Sequence, residues 1–203
     1  MNKLPREFYT RNVLEVAKDL LGKYLVYEDN DSKLIGKIVE VEAYMGPEDK
    51  AAHSYGGKVT ERTKVMYKEG GYVYIFIIYG MYYCMNVVAA GENEPQAVLI
   101  RGLEPIGGIE TMCLNRYKKN CKDMNNYQRK NLTNGPGKLC KAMNITKELN
   151  GEDLCGDKIY ILDNNDSDFN IVYSKRIGID YAEEARDYLW RFYIENNKFV
   201  SKF

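Results

Sequence analysis

Between Thr10 and Leu21 apolar residues recur every three or four positions, at Val13, Val16, Ala17, Leu20 and Leu21, and Gly22 follows. This spacing predicts an amphipathic helix from about Thr10 to Leu21 with Gly22 as its C-terminal cap. Lys23–Glu28 then reads as a strand, turned by Asn30, Asp31 and Ser32. From Lys33 to Met45 the period changes to two. Ile35, Val39, Val41, Ala43 and Met45 fall on one face, and Glu40, Glu42 and Tyr44 on the other, so a carboxylate and an aromatic ring project side by side from one strand. The strings YVYIFII and MYYCMNVVAA flank Tyr79-Gly80 and predict a hairpin with the tyrosine at its turn. Ala97–Leu103 is a further apolar strand, carrying Arg101. Beyond Glu104-Pro105 the pattern predicts a helix over Ile109–Arg116, a polar loop with little to pack over Tyr117–Asn134, and a helix after Asn134-Gly135 with Pro136 in its first turn. Short strands are expected at Lys158–Leu162 and Leu189–Glu195, and Asp180 with Glu183 reads as a capping box for a helix from Tyr181 to about Tyr188.

Composition narrows the class. At 203 residues, 45% hydrophobic and 29% charged, the chain fits one soluble globular domain, residues 1–203, and neither a disordered nor a collagen-like protein. Gly70–Gly91 runs 22 residues without a charge, long enough to span a bilayer. Its tyrosines and β-branched residues, with Asn86 inside and Gly80 near the middle, fit two buried strands better than one helix. Five cysteines without a CxxC pair point to reduced thiols in a cytosolic compartment and away from structural zinc. The N-terminal MNKLPREFYT has charges where a secretory signal would have an apolar core. The formal net charge is zero, which by itself argues against a nucleic-acid partner. That zero is a sum of unlike halves: Arg116–Lys141 holds eight basic residues and one acidic, while Glu152–Asp187 holds ten acidic and four basic. A basic half can face phosphates, or can simply be a solvated loop.

Candidate chemistry gathers at a few positions. If the Glu42 face lines a cleft, the carboxylate can serve as a general base or stabilise a cation; otherwise Glu40 and Glu42 face solvent. His53 is the only histidine. Without companion ligands it is a poor metal residue and fits a hydrogen-bonded structural role more often than a catalytic one. Tyr79 beside Gly80 can be a wedge between base pairs, or can fold back onto the sheet. Asn134-Gly135-Pro136-Gly137-Lys138 lacks the spacing of a Walker loop, but a helix start with Gly135, Gly137 and Lys138 can hold one phosphate of a nucleic-acid chain.

Taken together, VEAYMGPEDKAAHS (Val41–Ser54), YVYIFIIYGMYYCMNV (Tyr72–Val87), LIRGLEP (Leu99–Pro105), NGPGKLC (Asn134–Cys140) and the terminal LWRFYIENNKFVS resemble the alkyladenine, or 3-methyladenine, DNA glycosylases of the mammalian type. The match runs in order from about Leu4 to Ser201. The resemblance implies an α+β fold, one domain with a curved antiparallel sheet and peripheral helices, like the C-terminal domain of methionyl-tRNA formyltransferase. It implies a monofunctional, monomeric enzyme in the cytoplasm or nucleoid. Such an enzyme flips alkylated or deaminated purines out of duplex DNA and hydrolyses the N-glycosidic bond, with no cofactor, metal or membrane.

Residue by residue, Glu42 matches the general base that activates water, and Arg101 a residue that helps hold this water. Tyr44 and His53 match residues that contact the flipped base, Asn86 a residue of the pocket floor, and Tyr79 the residue filling the vacated space. Phe76 departs from the vertebrate pattern, where tyrosine is usual; stacking survives and a hydroxyl is lost. Two other readings remain: a non-catalytic nucleic-acid-binding module, and a hydrolase of free nucleosides. A covalent lyase mechanism is the weaker reading, since neither residue matched to a catalytic role, Glu42 or Arg101, carries an amine that could form an imine.

Overall fold

The computed structural model describes residues 1–30 and 32–201; Asp31, expected in the turn after the second strand, lies outside the described residues. The first helical segment forms because its apolar stripe has a surface to cover. After a single turn, α1 (Arg6–Tyr9), comes α2 (Val13–Leu20), which buries Val13, Val16, Ala17 and Leu20. It begins later than the apolar spacing predicts, because the Asn12 side chain accepts from Leu14 N–H at 2.9 Å and fixes the start there. Gly22 follows the helix at φ +83°, where a Cβ would lie 2.7 Å from Asp166 O, so the turn into the sheet requires glycine.

Among the described residues nine strands form one sheet: β1 (Asn2–Lys3), β2 (Tyr24–Glu28), β3 (Lys33–Tyr44), β4 (Val73–Ile78), β5 (Tyr82–Ala89), β6 (Gln96–Gly107), β7 (Ile159–Asp163), β8 (Ile171–Ser174) and β9 (Arg191–Ile194). The order is β1-β7-β2-β3-β6-β5-β4, and every pairing is antiparallel. β3 is the spine. Its first half pairs with β2, its second half with β9, which in turn carries β8, and β6 runs along the other edge. The helices α3 (Ile109–Tyr117), α4 (Asn126–Lys130) and α5 (Pro136–Ala142) follow β6, so the chain is α+β, with its helices around an antiparallel sheet.

Alternation along the strands divides the molecule into a core face and a site face. Val39, Val41 and Ala43 of β3, Val73 and Ile75 of β4, Met85 and Val87 of β5, and Val98 and Ile100 of β6 join the core cluster with α2 and α5. The intervening residues, Glu40, Glu42, Tyr44, Tyr74, Phe76, Asn86, Leu99 and Arg101, therefore point to the other face. The expected alternation in β3 holds only from Val39 onward. A bulge between Ile38 and Glu40 shifts the frame, so Leu34 and Ile38 join the core and Ile35 does not.

Further differences concern the second half. The stretch expected to be a bare loop contains α4, opened by a reciprocal cap between Asn125 and Gln128, and buries Met124 and Leu132. Cys113 and Cys121 are joined in a disulfide, because the turn after α3 brings their Cα atoms to 5.6 Å; Cys84, Cys140 and Cys155 are free thiols. This corrects the expectation of reduced cysteines throughout. The expected helix over Tyr181–Tyr188 is only a 3-10 turn at Glu183–Asp187, since Glu183 takes φ +46° and no cap forms. The uncharged Gly70–Gly91 segment is the β4–β5 hairpin, and no helix among the described residues is long and apolar enough to cross a membrane.

Candidate active site

The site face is organised as a row across the sheet. Arg191 of β9 opposes Glu42 of β3, Glu42 opposes Leu99 of β6, Leu99 opposes Asn86 of β5, and Asn86 opposes Tyr74 of β4. Over this row opens a cavity of about 330 Å³, within the size range of small-molecule sites. Its wall includes Tyr44, His53, Phe76, Asn86, Arg101 and Tyr79, so six of the sequence-predicted site residues come together there.

Glu42 is not exposed to solvent, which overturns the solvent-facing alternative for this strand face. It does not line the cavity itself; Tyr44 and Arg101, which do, both bond to it. Two residues apart on one strand, Tyr44 donates its hydroxyl to Glu42 Oε2 at 2.9 Å. Arg101 Nη1 reaches the same oxygen at 3.4 Å, and Ile177 N–H donates to Oε1 at 2.7 Å. Arg101 stands at a second irregularity, the extra residue between the Val41–Ile100 and Glu40–Gly102 pairs, a common device for aiming a side chain into a site. Burial opposes its charge, yet Glu42 and Glu40 outweigh that and raise the guanidinium above its ordinary pKa. Burial first, then the Glu42 charge, drives the Tyr44 phenol well above its usual range, so it stays a proton donor.

The opposite wall is aromatic. His53 meets Phe76 edge to face at 4.5 Å between ring centroids, and its Nδ1 lies 2.9 Å from Tyr74 Oη. Arg62 Nη2 approaches His53 Nε2 at 3.0 Å. A guanidinium only donates, so Nε2 accepts and the imidazole proton sits on Nδ1, directed at Tyr74. The ring is open to the cavity mouth, but burial by its other neighbours and then the Arg62 charge lower its pKa to about 4; His53 is neutral at physiological pH. Asn86 fixes its amide by donating Nδ2–H to Tyr74 O at 3.1 Å. Cys84 lines the cavity as a thiol, with burial raising its pKa to about 11, and is no nucleophile at neutral pH.

At the hairpin tip both Tyr79 and Gly80 take positive φ, +51° and +68°, and Met81 N–H closes the turn on Ile78 O at 3.2 Å. Tyr79 is 87% exposed, so it projects rather than folding back. Pro136 at the start of α5 shares the cavity rim, and Gly137 lies so close to Tyr82 that a Cβ would sit 3.0 Å from that residue's Cβ and 3.2 Å from its ring. Lys138 is partly buried, donating to Asn131 Oδ1 at 2.6 Å and Asn134 Oδ1 at 2.9 Å. Gly135 and Lys138 thus stand at the helix start as expected but are not among the cavity's lining residues.

With this geometry, comparison with known proteins decides the family. The family model for methylpurine-DNA glycosylase matches residues 7–198. The chain belongs to the methylpurine-DNA glycosylase family. A protein of Clostridium novyi (strain NT), named a 3-methyladenine DNA glycosylase, is 65% identical over 202 residues, an alignment that covers 100% of each chain to the nearest per cent. Relatives of the same name in Desulfitobacterium hafniense (strain Y51) and Clostridium acetobutylicum are 57% and 59% identical, and each alignment covers at least 97% of both chains.

Several members of this candidate site carry no local sequence signal. Arg176 is fully buried, pairs with Asp49 at 2.5 and 2.8 Å, and lies between the rings of Tyr44 and Trp190, 4.7 and 5.1 Å from their centroids. It also donates to Ala43 O and Ala185 O. Asp49 accepts from Met45 and Ala51 N–H, so one ion pair anchors the Tyr44 wall, the loop leading to His53 and the segment carrying Ile177. Arg62, Tyr74 and the Ile177 amide complete the site through contacts that span up to 135 residues.

Proposed function

We propose that this chain is a monofunctional DNA-repair glycosylase that hydrolyses the N-glycosidic bond of alkylated purines such as 3-methyladenine in duplex DNA. The observation that carries the reading is the buried Glu42 carboxylate, held by Tyr44, Ile177 and Arg101 at the edge of an aromatic cavity whose mouth is flanked by the exposed Tyr79.

In this mechanism the damaged nucleotide leaves the stack, and Tyr79 fills the space it vacates. The base regains stacking against Tyr44, His53 and Phe76, with Asn86 at the floor screening its substituents. As the bond from C1′ to the base nitrogen breaks, its electron pair goes to the base and the sugar becomes oxocarbenium-like. Glu42 stabilises that charge and takes a proton from the attacking water, which Arg101 helps hold. A cationic alkylpurine needs no proton to leave, and neutral His53 adds no positive charge of its own against it. With a pKa of about 4, His53 is not the general acid that a neutral base such as hypoxanthine would require at pH 7.

Gly135, Gly137 and Lys138 are proposed backbone contacts beside the wedge; Lys138 has two protons engaged by Asn131 and Asn134 and a third for a phosphate oxygen. The enzyme acts as a monomer in the cytoplasm or on the nucleoid in this reading.

A base-release assay tests it. Duplexes carrying 3-methyladenine, 7-methylguanine, hypoxanthine or ethenoadenine are compared with the corresponding free nucleosides. Release from alkylated duplex, with nucleosides untouched, is expected. Equal turnover of nucleosides points to a nucleoside hydrolase, and duplex binding without release points to a binding module.

A further inference from the structure

Glu40 shares the site face with Glu42 and is equally sealed from solvent, yet no step of the proposed reaction uses it. Its carboxylate accepts at least four hydrogen bonds. Oε1 accepts from Arg101 Nε at 3.1 Å, Arg191 Nε at 2.7 Å and the Ser201 hydroxyl at 2.9 Å, and Oε2 accepts from Ser201 N–H at 2.6 Å. Ser201 also lies 3.4 Å from Arg101 Nη2. Gly102 permits the approach: a Cβ there would meet Phe199 O at 2.7 Å and crowd the Glu40 side chain.

Arg101 is thus a planar spacer between two carboxylates, bound through Nε to Glu40 and through Nη1 to Glu42. The longer contact is the one to Glu42. Without the Glu40 anchor the guanidinium can swing to pair with Glu42 through both of its donor edges. That pairing would take Arg101 N–H groups from the cavity and occupy the lone pairs Glu42 needs for water. We infer that Glu40, with Ser201, is a positioning residue that aims Arg101 and keeps Glu42 from being consumed by it. The inference rests on the proposed roles of Glu42 and Arg101.

The test uses the full chain and single-turnover release of 3-methyladenine from duplex, with active fraction, duplex affinity and release rate measured separately. Glu40→Gln should slow release by about tenfold to a hundredfold, the scale of a small misplacement in a reacting site, with affinity within about twofold. In an Arg101→Gln background it should add less than about twofold, because both changes remove the same function. A purely structural role would lower active fraction and leave the rate of the active molecules unchanged, overturning the inference. So would a double variant losing the product of the single effects, or a Glu40→Gln rate equal to wild type while Glu42→Gln is impaired. If Glu42→Gln and Arg101→Gln both run at the wild-type rate, the proposed site itself fails, and Glu40 with it. Should Glu40→Gln not fold, Ser201→Ala leaves the charges in place; a severalfold slower rate supports the inference, and an unchanged rate overturns it.

Discussion

Replacing Tyr79 with glycine should leave the protein as stable as before while damaging its chemistry. The residue is 87% exposed, so roughly 20–30 Å² of an aromatic side chain is covered, worth about 0.5–0.8 kcal/mol. Glycine further costs about 0.5–1 kcal/mol through the greater freedom of the unfolded chain. Against these, the φ of +51° costs a residue with a Cβ about 1–2 kcal/mol, which glycine recovers. The sum is within about 1 kcal/mol of zero. A residue whose removal is neutral for folding, at a strained backbone position, is there for another reason. If that reason is stacking in the space left by a flipped nucleotide, losing it costs about 1–3 kcal/mol, or roughly five- to 150-fold in excision at subsaturating enzyme. Urea unfolding followed through Trp190, the only tryptophan, gives the stability, and base release from alkylated duplex gives the activity. Tyr79→Phe should match wild type in both. Undiminished excision by Tyr79→Gly, or a stability loss beyond about 2 kcal/mol, refutes the wedge.

Asp49→Ala should cost about 3–5 kcal/mol, since it strands the buried Arg176 guanidinium, and should lower Tm by about 10 °C; an effect under about 1 kcal/mol in thermal unfolding contradicts the pairing. The single histidine should titrate by NMR with a midpoint of about 4, and Arg62→Ala should raise that midpoint; a wild-type midpoint near 6.5 contradicts the arrangement around His53. Between those two values the unfolded chain binds a proton that the folded chain refuses, so this residue's contribution to stability declines as pH falls from about 6.5 to about 4, measurable by comparison with His53→Gln.

How much of this was legible beforehand depended on the range of the interactions. Strand β3 follows from period-two patterning, the β4–β5 hairpin from two apolar strings rich in tyrosine and β-branched residues on either side of Tyr79-Gly80, and β6 from a short apolar run. Glu42, Tyr44 and Arg101 converge because strand register sets them on one face. The burial of Glu40 and Glu42 was not legible, because it depends on Arg101, Arg191, Ser201 and the Ile177 amide, all at least 59 residues away in sequence. The bulge at Val39 leaves no mark in hydrophobicity and needs the partner strand to exist. The cap of α4 is written locally in Asn125 and Gln128, but so polar a stretch lacks the apolar stripe that marks a helix. The basic half is less free than its net charge suggests: Arg116 and Arg129 bond backbone carbonyls and Lys138 bonds two asparagines, so part of it holds the loop together.

The central claim is that Glu42 is the base. Single-turnover release of 3-methyladenine from duplex by wild type and Glu42→Gln, at saturating enzyme, tests it most directly. The amide is isosteric and its one oxygen can still accept from Tyr44 while the bond from Ile177 N–H is lost, a cost of about 1–3 kcal/mol, so folding and duplex affinity should persist while the rate falls about 10²- to 10⁴-fold. A Glu42→Gln enzyme that releases the base as fast as wild type would contradict the account.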